Sequence, residues 1–216
     1  MAKPLLQIAL DNLNEKDAYA SITQVAEAID IIEVGTILIC AEGKSIVQKL
    51  KTTYPNKIIL ADAKIADAGK ILTPMMLDSG ADWTTLICCA ELATIAGALE
   101  VAAERSKDIQ IELTGYWDFD QAVAWRGLGV DQVVYHRSRD AQAAGVDWGP
   151  ADLDKIGRLC ELGFKVTVTG GITVDDLKIF AKYPIYIFIA GRSIRDAPNP
   201  LAAAEAFQIE LARLWK

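Results

Sequence analysis

Eight short apolar runs, each followed by a longer amphipathic stretch, succeed one another along the whole chain. The runs cover residues 5–11, 30–34, 58–62, 83–88, 109–113, 132–136, 165–169 and 185–190. Between them lie Ala-rich segments with Glu and Lys at a helical period, for example 18–28, 43–52, 90–104, 119–128, 151–162 and 174–181, and residues 201–215 close the chain as a last helix. Strands that are apolar almost throughout, alternating with helices, specify a parallel sheet covered on its faces. Dividing 216 residues by eight gives about 27 per unit, which suits closure into a barrel near the short limit of roughly 200 residues. An open doubly wound sheet is the other arrangement. It advertises a Gly-rich turn after its first strand, and Leu10-Asp11-Asn12-Leu13-Asn14 has none. The expectation is therefore an α/β fold, a (β/α)8 TIM barrel forming a single catalytic domain over residues 1–216.

Composition sets what such a barrel can do. At 52% hydrophobic residues the chain can bury a full core. Its formal net charge of −7 argues against nucleic acid, because phosphate tracking needs a basic stripe and the cations here are scattered among more numerous acids. Any anion has to be caught locally. The four cysteines, Cys40, Cys88, Cys89 and Cys160, form no CxxC pair and no metal-finger spacing, which fits a reducing cytosol. No stretch approaches the roughly 20 apolar residues of a membrane helix, and the N-terminus lacks a leader pattern. A soluble cytoplasmic protein without membrane partners is expected.

In a (β/α)8 barrel the chemistry gathers at the C-terminal ends of the strands. Those ends carry, in order, Asp11, Glu33, Asp62 with Lys64, then Glu112, His136, Thr169 and the Gly191-Arg192 step. Seven of eight strands end on polar residues; the fourth, at Ile87-Cys88-Cys89, is expected only to pack. In Asp62-Ala-Lys64-Ile-Ala-Asp67 a cation stands between two carboxylates where a strand breaks into a loop. If the strand continues through Lys64, Asp62 and Lys64 share one face at the period of two and Asp67 lies beyond. Charges that close shift one another's pKa and are costly to bury, so the cluster reads as functional; its bland alternative is a weak surface pair.

Two glycine-containing turns, Thr169-Gly170-Gly171-Ile172 and Ala190-Gly191-Arg192-Ser193, follow the seventh and eighth strands. Glycine lets backbone N–H groups approach an oxyanion, a helix start behind adds dipole, and Arg192 supplies a forked charged contact, which together point to phosphate. Glu33 and Asp62, joined by Asp11 if it turns in, crowd one rim. Two carboxylates about 4 Å apart repel by roughly 4 kcal/mol at an effective dielectric of about 20, and a divalent cation removes that cost. Oxygen ligands and a single histidine favour Mg²⁺ over zinc. Lys64 is then placed to hold oxyanion charge, or to be held itself by Asp11 and Asp67. The one histidine, His136, lies in Tyr135-His136-Arg137-Ser138-Arg139-Asp140 and suits proton transfer; periodicity leaves open whether Arg137 or Arg139 faces in.

These motifs, together with Ile32-Glu33-Val34-Gly35-Thr36 and Glu112-Leu113-Thr114-Gly115, resemble the 3-keto-L-gulonate 6-phosphate decarboxylases of the orotidine 5'-monophosphate decarboxylase suprafamily, over essentially the whole chain. The resemblance implies Mg²⁺ on Glu33 and Asp62, and Lys64 beside an enediolate formed by loss of CO2. It implies His136 and Arg139 near the water that returns a proton, and Gly171, Gly191 and Arg192 at the phosphate. Asp11, Glu112 and Thr169 are implied to hold substrate hydroxyls or Lys64. A homodimer is implied, with Asp67 completing the neighbour's site. The substrate partner is a phosphorylated keto-sugar acid, converted to L-xylulose 5-phosphate; whether it derives from ascorbate or another sugar stays open.

Hexulose phosphate synthases, which add formaldehyde to ribulose 5-phosphate, are the alternative within the suprafamily. They typically carry Asp, Val and Ala where this chain has Glu112, Arg139 and Thr169. A ribulose-phosphate epimerase needs a His-rich metal site that one histidine does not supply. Orotidylate decarboxylase shares the Asp-x-Lys-x-x-Asp spacing but is metal-free. A non-catalytic sugar-phosphate-binding protein is the alternative from another class.

Overall fold

The computed structural model describes residues 1–216. Eight strands, β1 (Leu5–Leu10), β2 (Ile31–Val34), β3 (Ile58–Ile65), β4 (Trp83–Ile87), β5 (Asp108–Leu113), β6 (Gln132–His136), β7 (Lys165–Thr169) and β8 (Ile187–Ala190), pair in parallel with their sequence neighbours, and β1 closes on β8. The expected (β/α)8 barrel is the fold observed. Eleven helices surround it: α1 (Glu15–Thr23), α2 (Thr36–Glu42), α3 (Ser45–Thr53), α4 (Gly69–Leu77), α5 (Leu92–Glu104), α6 (Phe119–Leu128), α7 (Arg139–Ala143), α8 (Pro150–Glu161), α9 (Leu177–Phe180), α10 (Arg192–Arg195) and α11 (Pro200–Leu214).

Closure divides the buried apolar residues into two unequal cores. The larger, of 51 residues, fills the layer between strands and helices. The smaller is a plug inside the barrel, built from Ala9, Ile31, Leu60, Val134, Ile187 and Ile189. Strand alternation explains how the plug supports the mouth. Two residues beyond Ala9, Ile31, Leu60, Val134 and Ile189 stand Asp11, Glu33, Asp62, His136 and Gly191, and all of these line one cavity. Each of these five apolar plug residues therefore has a polar or glycine rim position directly above it.

Helix ends follow local chemistry. Asn14, Asp118 and Asn199 accept from backbone N–H groups in the first turns of α1, α6 and α11, satisfying donors that a helix start leaves free. Several elements depart from the sequence pattern. The stretch 18–28 is helical only to Thr23 and then makes a short 3-10 turn at Ala26–Ala28, and 174–181 is a 3-10 turn at Val174–Asp176 followed by the four-residue α9. Helices α2 and α4 were not among the expected ones. Pro74 sits inside α4 and masks its pattern, while α2 is a seven-residue apolar helix stopped by Gly43 at φ 68°. No helix is long and apolar enough to cross a membrane.

Candidate active site

Strand β3 is the longest of the eight and does not stay regular. Its pairing with β4 slips between Ala61 and Ile65, and Lys64 takes a left-handed backbone at φ 45°. A non-glycine residue there costs about 1–2 kcal/mol, so surrounding contacts must hold it. Thr85 of β4 does so: its Oγ1 accepts from the Lys64 N–H at 2.9 Å and donates to Asp62 Oδ1 at 2.7 Å. The bulge keeps both Asp62 and Lys64 facing the cavity, through a mechanism other than simple two-residue alternation.

Lys64 Nζ lies between two buried acids. It donates to Asp62 Oδ1 and Oδ2 at 3.0 and 2.8 Å and to Glu112 Oε2. Asp11 and Asp67, expected as alternative holders of the ammonium, do not serve: Asp11 pairs with Arg139 at 3.0 Å across the cavity mouth, and Asp67 is exposed and accepts from the Ala68 N–H. Glu112 Oε1 stands 2.6 Å from His136 Nδ1. A carboxylate only accepts, so Nδ1 carries the proton and Nε2 is left for the cavity.

Burial alone would raise the Glu112 carboxyl, but the His136 hydrogen bond and the Lys64 charge outweigh it and bring the pKa down to about 2. Burial alone would likewise depress the Lys64 ammonium, yet the Asp62 and Glu112 charges hold it above its ordinary value. Both are charged at neutral pH. Glu33 is the opposite case: burial, and then the Asp62 and Asp11 charges, raise its carboxyl well above the ordinary carboxylate range, against one helpful hydrogen bond from Gln7 Nε2 at 2.7 Å.

That opposition is the test of the expected metal. Glu33 and Asp62 are buried and line the same cavity, and a hard cation at their shared rim would relieve the repulsion that Glu33 carries. No group of three or more His, Cys, Asp or Glu side chains converges on one point, a donor set compatible with Mg²⁺, which takes one or two protein carboxylates and completes its shell with water and ligand oxygens. Asp62 already receives four hydrogen bonds, from Lys64 twice, Thr36 Oγ1 at 2.7 Å and Thr85. A shared cation has to replace one of these, and Lys64 is the donor that bonds both oxygens. The donor set fits Mg²⁺ on that condition.

The opposite side of the mouth is formed by the loops after β6, β7 and β8. Gly170 and Gly171 hold φ of 117° and 66°, and a Cβ on Gly170 would meet the Arg137 carbonyl oxygen at 2.3 Å, so both positions require glycine. Ser193 Oγ donates to the Ile172 carbonyl at 2.7 Å and ties the last loop to the one before. Gly171, Gly191, Arg192 and Thr169 all line the cavity. The helices behind these turns are only four residues long, too short for the dipole expected from sequence, so positive charge at this end comes from guanidinium groups. Between Arg137 and Arg139, it is Arg139 that lines the cavity; Arg137 turns away, stacks 4.9 Å from the Trp148 ring centroid and donates from Nε and Nη2 to the Gly170 carbonyl at 3.0 and 2.7 Å.

The structure thus brings Asp11, Glu33, Asp62, Lys64, Glu112, His136, Arg139, Thr169, Gly171, Gly191 and Arg192 to one cavity and leaves Asp67 outside it. The reading of the fourth strand as mere packing is corrected by Thr85, which bonds the Asp62 side chain and the Lys64 backbone. Its signal was present: two threonines, Thr84 and Thr85, interrupt the apolar run, and Thr85 is the one on the face of Trp83. Gln7, Gln142 and Arg195 also line the cavity and were missed; Gln7 and Arg195 lie outside the strand-end positions on which the sequence reading drew, and Gln142 belongs to a five-residue helix with no periodic signature.

A closed (β/α)8 barrel with a hydrogen-bonded Asp-Lys-Glu-His cluster opposite a glycine and arginine rim is the class that fold and site define. The chain belongs to the orotidine 5'-phosphate decarboxylase / HUMPS family, whose model matches residues 4–207. It is 59% identical over 215 residues, the full length of both chains, to 3-keto-L-gulonate-6-phosphate decarboxylase UlaD of Escherichia coli O17:K52:H18. Among solved structures it is similar to a ligand-bound crystal structure of KGPDC from Streptococcus mutans, at a TM-score of 0.97 and 43% identity, and to 3-keto-L-gulonate-6-phosphate decarboxylase of Vibrio cholerae, at 0.94 and 44%, with complete coverage of both chains in each case.

Proposed function

We propose that this protein is an Mg²⁺-dependent carboxy-lyase that converts 3-keto-L-gulonate 6-phosphate to L-xylulose 5-phosphate and CO2 through an enediolate. The observation that carries the reading is the anchored Lys64, an ammonium kept charged between Asp62 and Glu112 at the cavity wall, joined to full-length similarity to decarboxylases of that name. Arg192 and the turns at Gly171 and Gly191 bind the phosphate, while Asp11 and Thr169 meet substrate hydroxyls. When the carbon–carboxylate bond breaks, its electron pair passes into the adjacent carbonyl, and Lys64 stands as a preformed cation beside the developing negative charge. Mg²⁺ held by Glu33 and Asp62, with Lys64 giving up one of its two bonds to Asp62 and keeping Glu112, would add Lewis-acid stabilisation of the same charge. His136, its Nδ1 fixed by Glu112, and Arg139 orient the water that delivers the proton to carbon.

The test incubates the purified protein with 3-keto-L-gulonate 6-phosphate and measures CO2, with Mg²⁺ and with EDTA. Metal-dependent CO2 release is expected. Product from ribulose 5-phosphate and formaldehyde alone, with no CO2 from the keto acid, assigns the aldolase instead. Phosphate binding without either reaction assigns a non-catalytic binding protein. Metal binding is read separately by Mn²⁺ paramagnetic resonance, where Glu33→Gln is expected to weaken the bound signal by about 10–100-fold in affinity.

The reading extends to a cytoplasmic homodimer with shared sites. Asp67 stands outside its own cavity, and the helix that follows it exposes Ile71, Leu72 and Met75, an apolar face that a second copy would cover. If Asp67 acts across that interface, mixing inactive Asp67→Ala with inactive Lys64→Ala restores activity through mixed dimers. A monomer in sedimentation, or no recovery on mixing, overturns it.

A further inference from the structure

Gln142, on α7, makes contacts that the proposed reaction does not use. Its Oε1 accepts from Arg192 Nη2 at 2.9 Å, while its Nε2 donates to the carbonyls of Arg137 and Ser138 at 2.9 and 3.3 Å. These partners fix which end of the amide is which, since a guanidinium only donates and a carbonyl only accepts. The same Oε1 lies 2.3 Å from the point where a Cβ on Gly171 would stand. An amide oxygen therefore fills the space over the glycine turn and takes a donor of Arg192, while the other arginine at the turn, Arg137, is engaged with the Gly170 carbonyl.

We infer that Gln142 is a built-in stand-in for the substrate phosphate, holding Arg192 in place while the cradle is free and leaving when phosphate arrives. The inference rests on the phosphate site proposed above. An amide oxygen and a phosphate oxygen are both acceptors and repel when they compete for one donor. A phosphate dianion makes charge-assisted bonds about twice as strong as those of a neutral oxygen, so the exchange runs toward phosphate. The side chain then swings away and gives up the carbonyls of Arg137 and Ser138. Because the competitor must be displaced, the apparent affinity for phosphate is lower than the cradle alone would provide.

The probe is inorganic phosphate as a competitive inhibitor, measured together with kcat and KM for the phosphorylated substrate. Gln142→Ala removes the competitor and is expected to bind phosphate about 3–10-fold more tightly, with kcat within about twofold. Gln142→Glu keeps the shape but pairs Arg192 with a carboxylate and repels the dianion; phosphate binding is expected to weaken at least about tenfold, more at low salt. A merely structural Gln142 would weaken binding in both variants. Weaker or unchanged phosphate affinity in folded Gln142→Ala, or an undiminished affinity in Gln142→Glu, overturns the inference. If phosphate binds the unaltered protein and Arg192→Ala abolishes that binding, the site stands whatever the Gln142 variants do. If Arg192→Ala changes nothing, the phosphate site itself is wrong and the stand-in falls with it.

Discussion

The two walls of the cavity are built on different principles. On the side of β3, β4 and β5, Asp62 and Glu112 are 5% and 3% exposed and Lys64 is bonded to both. On the side of the last three loops, two of the cavity arginines reach into solvent: Arg139 is 51% exposed at its side chain, and Arg192, also exposed, contacts only the amide of Gln142 and no acid. The first wall is assembled and charged before any ligand arrives, which is what stabilising a developing charge requires, because reorganisation at the moment of reaction is the cost a preformed dipole avoids. The second wall holds exchangeable neutral or exposed partners. It suits recognition, where the ligand supplies the missing charge.

Removing the centre of the first wall has the largest expected consequence. Lys64→Ala is predicted to lower kcat for decarboxylation by about 10³-fold while leaving inhibition by inorganic phosphate nearly unchanged. Equal losses in both would erase the contrast between the walls. Glu112→Gln tests the same wall through stability. The Glu112 carboxyl has a folded pKa of about 2 against an ordinary 4.5, a depressed value, so its contribution is complete above about 4.5 and is lost as pH falls toward about 2. A shift of that size corresponds to on the order of 3 kcal/mol. Urea midpoints measured down this window are predicted to fall more steeply for the unaltered protein than for Glu112→Gln, and identical slopes would show that the carboxylate is not held ionised by Lys64 and His136.

Next in size is Thr85→Val, which removes a hydroxyl serving both Asp62 and the strained Lys64 backbone. A loss of about 10–100-fold in kcat is expected, with recovery in Thr85→Ser, because the effect runs through two oriented groups and not through packing. If the serine variant stays as slow as valine, the methyl group and not the hydroxyl supports the site.

How far the site could be read in advance follows from the same geometry. Asp11, Glu33, Asp62, Glu112, His136 and Gly191 were legible because each sits at a strand end on the inward face, where the period of two and the C-terminal rim rule coincide. Lys64 was placed correctly on the assumption of a regular strand, yet it faces in because β3 bulges and β4 supplies Thr85 to hold the bend, and a bulge leaves no periodic trace. Of its partners, Asp62 shares its face and Glu112, 48 residues away in sequence, came only with the family resemblance, whereas Asp11 and Asp67, the holders read from the residues themselves, bond elsewhere. The arginines depended on loop conformation, which neither period nor composition encodes. Helices were legible where long and amphipathic, as in α5 and α8, and lost where short, apolar or interrupted by proline, as in α2 and α4.

The smallest effect belongs to Arg137, which turns away from the cavity. Its guanidinium makes two hydrogen bonds to the Gly170 carbonyl, one to the Val146 carbonyl at 3.1 Å, and lies over Trp148. It thereby fixes the turn whose next residue, Gly171, lines the cavity. Arg137→Met is predicted to raise KM for the phosphorylated substrate by about 3–10-fold, a change of roughly 1 kcal/mol as expected for such hydrogen bonds, with kcat within about twofold. Lysine is not expected to rescue it, since a point charge cannot reproduce the fork that grips one carbonyl from two nitrogens. A fall in kcat at constant KM would mean that this loop shapes the reacting end, and the division of labour between the walls would have to be redrawn.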